Sequence, residues 1–172
     1  MSVPVIPEVI APTSLCDYLE VMTRAVFQAG VSWRQIAEHW QAYRAAFDEF
    51  DPQRVAAYDE IDVARVLGTP GVLRSPRKVR ATIANARALL GAEREYGGFD
   101  VYLRSFATYD QLVADFRKRF TFMGEMNVWY ALFRTGYPVP RFEPWVETIR
   151  GDHPRMREMV ALARESGRSP ER

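Results

Sequence analysis

The sequence predicts an all-α fold, a compact helical domain, and three observations carry that expectation. Apolar residues recur at three- and four-residue intervals through nearly every stretch of the chain. Helix-start residues followed by proline or an acid precede these runs, and glycine or proline follows them. No segment alternates apolar and polar residues for long enough to build a sheet, and no internal repeat is present. With 172 residues, 48% of them hydrophobic and 13% aromatic, one core can be filled without a metal or disulfide staple. The expected organisation is an extended arm over 1–13, interrupted by Pro4, Pro7 and Pro12, one helical domain over 14–166, and a loose polar tail over 167–172.

Each element has its own signal. Ser14, with Asp17 three residues on, reads as a capping box, and Leu15, Tyr18, Leu19, Met22, Val26 and Phe27 share a face until Gly30. Ser32 and Gln35 open a second helix along which Trp33, Ile36, Trp40, Tyr43 and Phe47 line one side. Asp51-Pro52 and the pair Asp59, Asp62 mark two short starts, and Gly68, Pro70 and Gly71 break the chain. Ser75-Pro76 opens the longest periodic segment, in which Val79, Ile83, Ala86 and Leu90 repeat up to Gly97-Gly98. Short helices are expected over 99–106, over 109–119 behind Thr108, from Gly124 to Arg134, over 143–150 and over 154–165.

Composition excludes several classes of function. The single cysteine, Cys16, allows no internal disulfide and no zinc site with two thiolates from one chain. No stretch approaches the roughly 18 apolar residues of a membrane span, and the first residues lack the basic and apolar regions of a signal peptide. A reducing, cytoplasmic setting and a monomeric state are expected. The net charge of +1 favours no partner, and the excess of arginine over lysine, 21 to 2, reads as genome composition. His39 and His153, far apart in sequence, read as a packing or surface histidine and as part of a helix cap. Neither a metal site nor a nucleophilic triad is supported. No cofactor is expected.

Three constellations remain. Phe120 to Gly124 forms a short apolar hairpin between two helices, so the second helix begins at glycine with unpaired N–H groups facing outward, able to grip a phosphate. Many such turns are only corners. Arg74, Arg77, Lys78 and Arg80 crowd a helix N-terminus, where cations are unfavourable unless an anion compensates. Trp33, Trp40, Tyr43, Phe47, Trp129, Tyr130 and Phe133 could line a stacking pocket for a base. Most of the seven are expected to be core, with one or two in a pocket wall.

These residues also carry a resemblance. Phe27 to Trp33, reading F-Q-A-G-V-S-W, resembles the Q-A-G-L/V-S-W motif of the DNA-3-methyladenine glycosylase I family, in the helix-hairpin-helix glycosylase superfamily. The block 50–57, Asp62-Val63, the run 70–74, the run 78–87, the segment 99–106 and the F-T-F-M-G hairpin follow that family in order over about residues 15 to 140. The resemblance implies a helix-hairpin-helix glycosylase fold and hydrolysis of the N-glycosidic bond of a flipped-out alkylated purine, with damaged double-stranded DNA as partner.

Together with the constellations above, it makes Ala25, Gln28, Trp33, Asn127 and Trp129 the candidates at the base, and Arg74, Arg77, Lys78, Lys118, Phe122, Met123 and Gly124 the candidates at DNA phosphates. There are three departures. The chain lacks the family's Cys and His zinc ligands, so no zinc is expected. Ala25 stands where the family carries a base-contacting glutamate, which bears on base specificity. Glu125 follows the hairpin glycine, where it either repels DNA or turns inward to replace the missing carboxylate. Glu38 and Glu20 are the other candidates for that replacement, with Glu125 and Glu38 the candidate catalytic groups. The alternative reading is a DNA-binding or damage-sensing module that keeps the fold without excision. A third is a scaffold repurposed for another ligand.

Overall fold

A computed structural model describes residues 3–172. Its elements run α1 (Leu15–Gln28), α2 (Trp33–Glu38), α3 (Trp40–Ala46), a 3-10 turn (Asp48–Phe50), α4 (Pro52–Ala56), α5 (Glu60–Leu67), α6 (Pro76–Tyr96), α7 (Phe99–Arg104), α8 (Tyr109–Arg119), α9 (Glu125–Arg134), α10 (Phe142–Val146) and α11 (Pro154–Glu165). Among the described residues no helix is long and apolar enough to cross a membrane.

The helices form where the caps direct them. Asp59 and Asp62 close a full capping box on α5, and the Ser75 side chain accepts the Lys78 N–H while Pro76 fills the first position of α6. Gly97 ends α6 in the left-handed conformation, at φ +73°. α1 is the central element: it packs between α6 and α9, and every residue from Val21 to Gln28 is buried. The buried stripe of α6 (Val79, Ala86, Leu89 and Ala92, all fully enclosed) closes the core from one side.

Four local expectations are corrected. The Trp33–Phe47 stretch is two helices, because the chain turns at His39, whose φ of −110° ends α2 and starts α3. That corner is tight: a Cβ on Gly71, at φ +89°, would lie 3.1 Å from the His39 ring. At the first helix Asp17 receives the Thr13 N–H and hydroxyl, at 2.8 and 3.2 Å, in place of a box with Ser14. The tail is not loose: Arg172 N–H donates to the Val139 carbonyl at 3.0 Å, and Arg164 bridges Glu143 and Glu171. The expected 143–150 helix is shorter, ending at Val146. The N-terminal arm is held by two buried arginines, Arg24 donating to the Pro4 carbonyl and Arg134 to that of Glu8.

Candidate functional site

The hairpin between α8 and α9 is built from the inside. Phe120 and Met123 are each 3% exposed and anchor it to the core. Asn85, buried on α6, clamps it with both amide atoms: Nδ2 donates to the Thr121 carbonyl at 3.0 Å, and Oδ1 accepts the Thr121 N–H at 2.7 Å. Phe122 takes the left-handed conformation, at φ +63°, and its carbonyl accepts from Asn127 Nδ2 at 2.8 Å. Gly124 then caps α9 with no side chain of its own. The N–H groups of Glu125, Met126 and Asn127 lie in the first turn and have no intrahelical acceptor. A Cβ on Gly124 would meet nothing within 4 Å, so the approach to these amides is open.

A cavity of about 350 Å³ adjoins this helix start. Ala25, Gln28, Ala29 and Gly30 form one wall, Trp33 the second, Gly124, Met126, Asn127 and Tyr130 the third, and His153 with Met156 the fourth. The Trp33 indole meets the Tyr130 ring edge to face, at 5.6 Å and 79°, which fixes its orientation. Gln28 is 4% exposed, and its Nε2 and Oε1 are enclosed without a hydrogen-bond partner among the described residues. Among the described residues no aspartate or glutamate lines the cavity. A wider cleft of about 650 Å³ lies between α7 and the 135–140 segment, but it borders neither Trp33 nor Gly124.

The structure thus brings Ala25, Gln28, Trp33, Asn127 and Gly124 to one place. Other expected residues lie elsewhere. Glu125 does not turn inward: it is exposed and pairs with Arg117 at 3.7 Å, because at helical spacing only Asn127 of the two faces the cavity. Glu38, exposed at the end of α2, is also outside the cavity wall. Glu20 accepts from Trp40 Nε1 at 2.9 Å, on another face. Trp129 is fully enclosed, stacked between Phe133 and Trp145, each 4.8 Å away, so it is core and not pocket.

Lys78 is corrected as well. It is buried, and its Nζ donates to the Phe27 and Ala29 carbonyls at 3.1 and 2.7 Å, capping the end of α1. Its burial pushes the ammonium below its ordinary pKa. It is spent on the fold. Of the remaining cations, Arg77 is exposed and its guanidinium lies 4.6 Å over the Phe122 ring, which places charge beside the hairpin. Lys118 and Arg74 are exposed. Met123 is buried and Phe122 half-buried.

Met126, His153, Met156 and the Asn85 clamp were not foreseen. Only Asn85 left a trace, as part of a second buried row, Lys78, Thr82, Asn85 and Leu89, at helical spacing. Nor do the side chains fit a zinc ion: among the described residues no three His, Cys, Asp or Glu groups come together.

Comparison with known proteins gives the chain's relatives. Residues 16–130 match the methyladenine glycosylase family. The chain is 40% identical over 86 residues to DNA-3-methyladenine glycosylase 1 of Escherichia coli (strain K12), covering 50% of this chain and 46% of that protein. It is 32% identical over 88 residues to DNA-3-methyladenine glycosylase of Haemophilus influenzae, covering 51% and 48%. The matched part is therefore about half the length of these curated relatives. A crystal structure of 3-methyladenine DNA glycosylase I superposes with a TM-score of 0.62 at 29% identity, over 74% of this chain and 81% of that one.

Proposed function

The chain belongs to the methyladenine glycosylase family, and on that premise we propose that it hydrolyses the N-glycosidic bond of an alkylated purine flipped out of duplex DNA. The observation that carries this reading is shared ground: Gly124 and Asn127 border both the open amides of α9 and the cavity walled by Trp33. One extruded nucleotide can seat its base against the indole while its backbone phosphate meets the helix N-terminus.

The chemistry asks little of acid or base groups. Alkylation at N3 makes the base a cation. As the bond from C1′ to the base nitrogen breaks, its electron pair neutralises that charge. Water oxygen bonds to C1′, and its proton passes to solvent. Trp33 supplies stacking on a cationic base, a contact of roughly 0.5–2 kcal/mol. The hairpin holds the bent backbone through N–H groups and Arg77, without reading sequence. The Arg117–Glu125 pair is solvent-exposed and contributes little, about 0–1 kcal/mol, so a phosphate can replace the carboxylate at Arg117. The enzyme acts as a cytoplasmic monomer.

Incubating the protein with N-methylpurine DNA tests the activity. Free methylated base is expected with the wild type, and loss of release with Trp33→Ala while the helical circular dichroism persists. No release under conditions where a known glycosylase works would defeat the proposal. One observation favours a second reading, a non-excising damage binder: among the described residues no carboxylate lines the cavity. That reading predicts a mobility shift on damaged duplex with no base released.

A further inference from the structure

A second pocket, beneath the N-terminal arm, holds two buried cations with no counter-ion. Its volume is about 350 Å³, and residues of the arm, α1, α3 and α9 border it. Arg24 of α1 and Arg134 of α9 both lie in its wall, and they are only 3% and 9% exposed. A buried guanidinium ordinarily has a carboxylate beside it, because dipoles alone replace lost hydration poorly. Here the listeners are neutral groups. Arg24 Nη2 donates to the Pro4 carbonyl at 3.0 Å, Arg134 Nε to the Glu8 carbonyl at 3.1 Å, and Arg134 Nη1 to the Tyr130 hydroxyl at 3.4 Å. Burial pushes the Arg24 guanidinium below its ordinary pKa, and the neighbouring charge of Arg134 adds to the push. Arg24 Nη1 and Arg134 Nη2 have no acceptor among the described residues and, unlike Arg24 Nε, are not sealed from solvent. Three carboxylates share the wall, and each is engaged elsewhere. Glu20 accepts from Trp40 Nε1 at 2.9 Å and pairs with Arg44 at 3.2 Å, Asp17 accepts from Thr13, and Glu8 pairs with Arg168 at 3.3 Å.

We propose that this pocket binds a small monocarboxylate with an apolar body, its carboxylate accepting from the unused Nη groups of Arg24 and Arg134. The planar guanidinium fork suits a carboxylate. A single negative charge is favoured over a phosphate dianion, which Glu20 and Asp17 in the same wall would repel more strongly. Val3, Pro7, Ile10, Val21 and Trp40 complete the wall and give an aromatic or branched body apolar cover. The site is separate from the Trp33 cavity, with which its wall shares no residue.

The test titrates the intact chain with benzoate, its neutral isostere benzamide and inorganic phosphate. By calorimetry, benzoate should bind roughly ten-fold or more tightly than either of the others. The NMR resonance of the Trp40 indole N–H should move as benzoate is added while that of Trp33 stays in place, which locates the binding. Arg24→Met should weaken benzoate about ten-fold. Arg134→Lys keeps a charge and loses the fork, so it should weaken benzoate about three-fold. If Arg24→Met does not fold, Arg134→Lys decides. No binding of benzoate, equal binding of benzamide, a preference for phosphate, movement of the Trp33 resonance in place of that of Trp40, or undiminished benzoate affinity in Arg134→Lys would each overturn the assignment.

Discussion

Two buried carboxamides lie within one sector of the molecule and are treated in opposite ways. Asn85 is 1% exposed, and both ends of its amide are used by one residue, Thr121, to hold the hairpin. Gln28 is 4% exposed and both ends are idle. The hairpin is a region whose polar groups close on one another, so its shape exists before any partner arrives. Beside it, the Gln28 amide is enclosed without a partner among the described residues. The contrast separates a region held by its own hydrogen bonds from one that is not, and it gives each substitution a sign.

The largest effect should fall on the positioning side. Asn85→Ala removes two hydrogen bonds and leaves a void, costing about 2–3 kcal/mol and lowering the melting temperature by roughly 4–12 °C. Affinity for undamaged duplex should fall with it. If Asn85→Ala melted like the wild type, the contrast with Gln28 would collapse.

Next come two cations adjacent in sequence with different tasks. Lys78→Met should cost about 1–3 kcal/mol, since two carbonyls at the end of α1 lose a charged donor, while the salt dependence of DNA binding stays unchanged. Arg77→Ala should leave stability nearly intact and make the salt slope shallower by about one phosphate's worth, roughly 0.9. Exchanged outcomes would mean that Lys78, not Arg77, faces DNA.

A smaller effect is expected at the rim. Glu125→Gln removes an acid from the start of α9, and duplex affinity at low salt should rise about two- to five-fold. The smallest lies away from both regions. Arg164 holds the Glu143 carboxyl down at a pKa of about 2, below the ordinary carboxylate value. Glu143 therefore stabilises the fold above about pH 4.5, and the contribution is lost as pH falls toward 2. Exposure of the pair keeps it near 0.5 kcal/mol. Melting of Glu143→Gln against wild type should show a deficit at neutral pH that closes in acid, with base binding unaffected.

Much of the architecture was legible because caps and stops are local. Ser75-Pro76 and Gly97 bound α6, and the acid pair at 59 and 62 starts α5, as the sequence indicates. The break at His39 was not legible, since the aromatic periodicity runs straight across it and Gly71, whose lack of a Cβ leaves room for the His39 ring, is distant in sequence. The site divides in the same way. Trp33, Gln28 and Ala25 are held near one another by short sequence separation. His153 and Met156 reach the cavity only through the packing of α11, which no local pattern announces. Lys78 misled because it sits in a run with Arg74, Arg77 and Arg80, whereas helical rotation turns it inward with Thr82 and Asn85.

The central claim is that one nucleotide engages the Trp33 cavity and the α9 amides at once. A crystal structure of the protein with duplex DNA carrying an abasic-site analogue, grown with free 3-methyladenine, measures this directly. The base should lie against Trp33, and a phosphate should sit on the N–H groups of Glu125 to Asn127. A base bound in the wider cleft near Tyr137, or a duplex docked on any face other than the Gly124 hairpin, would contradict it.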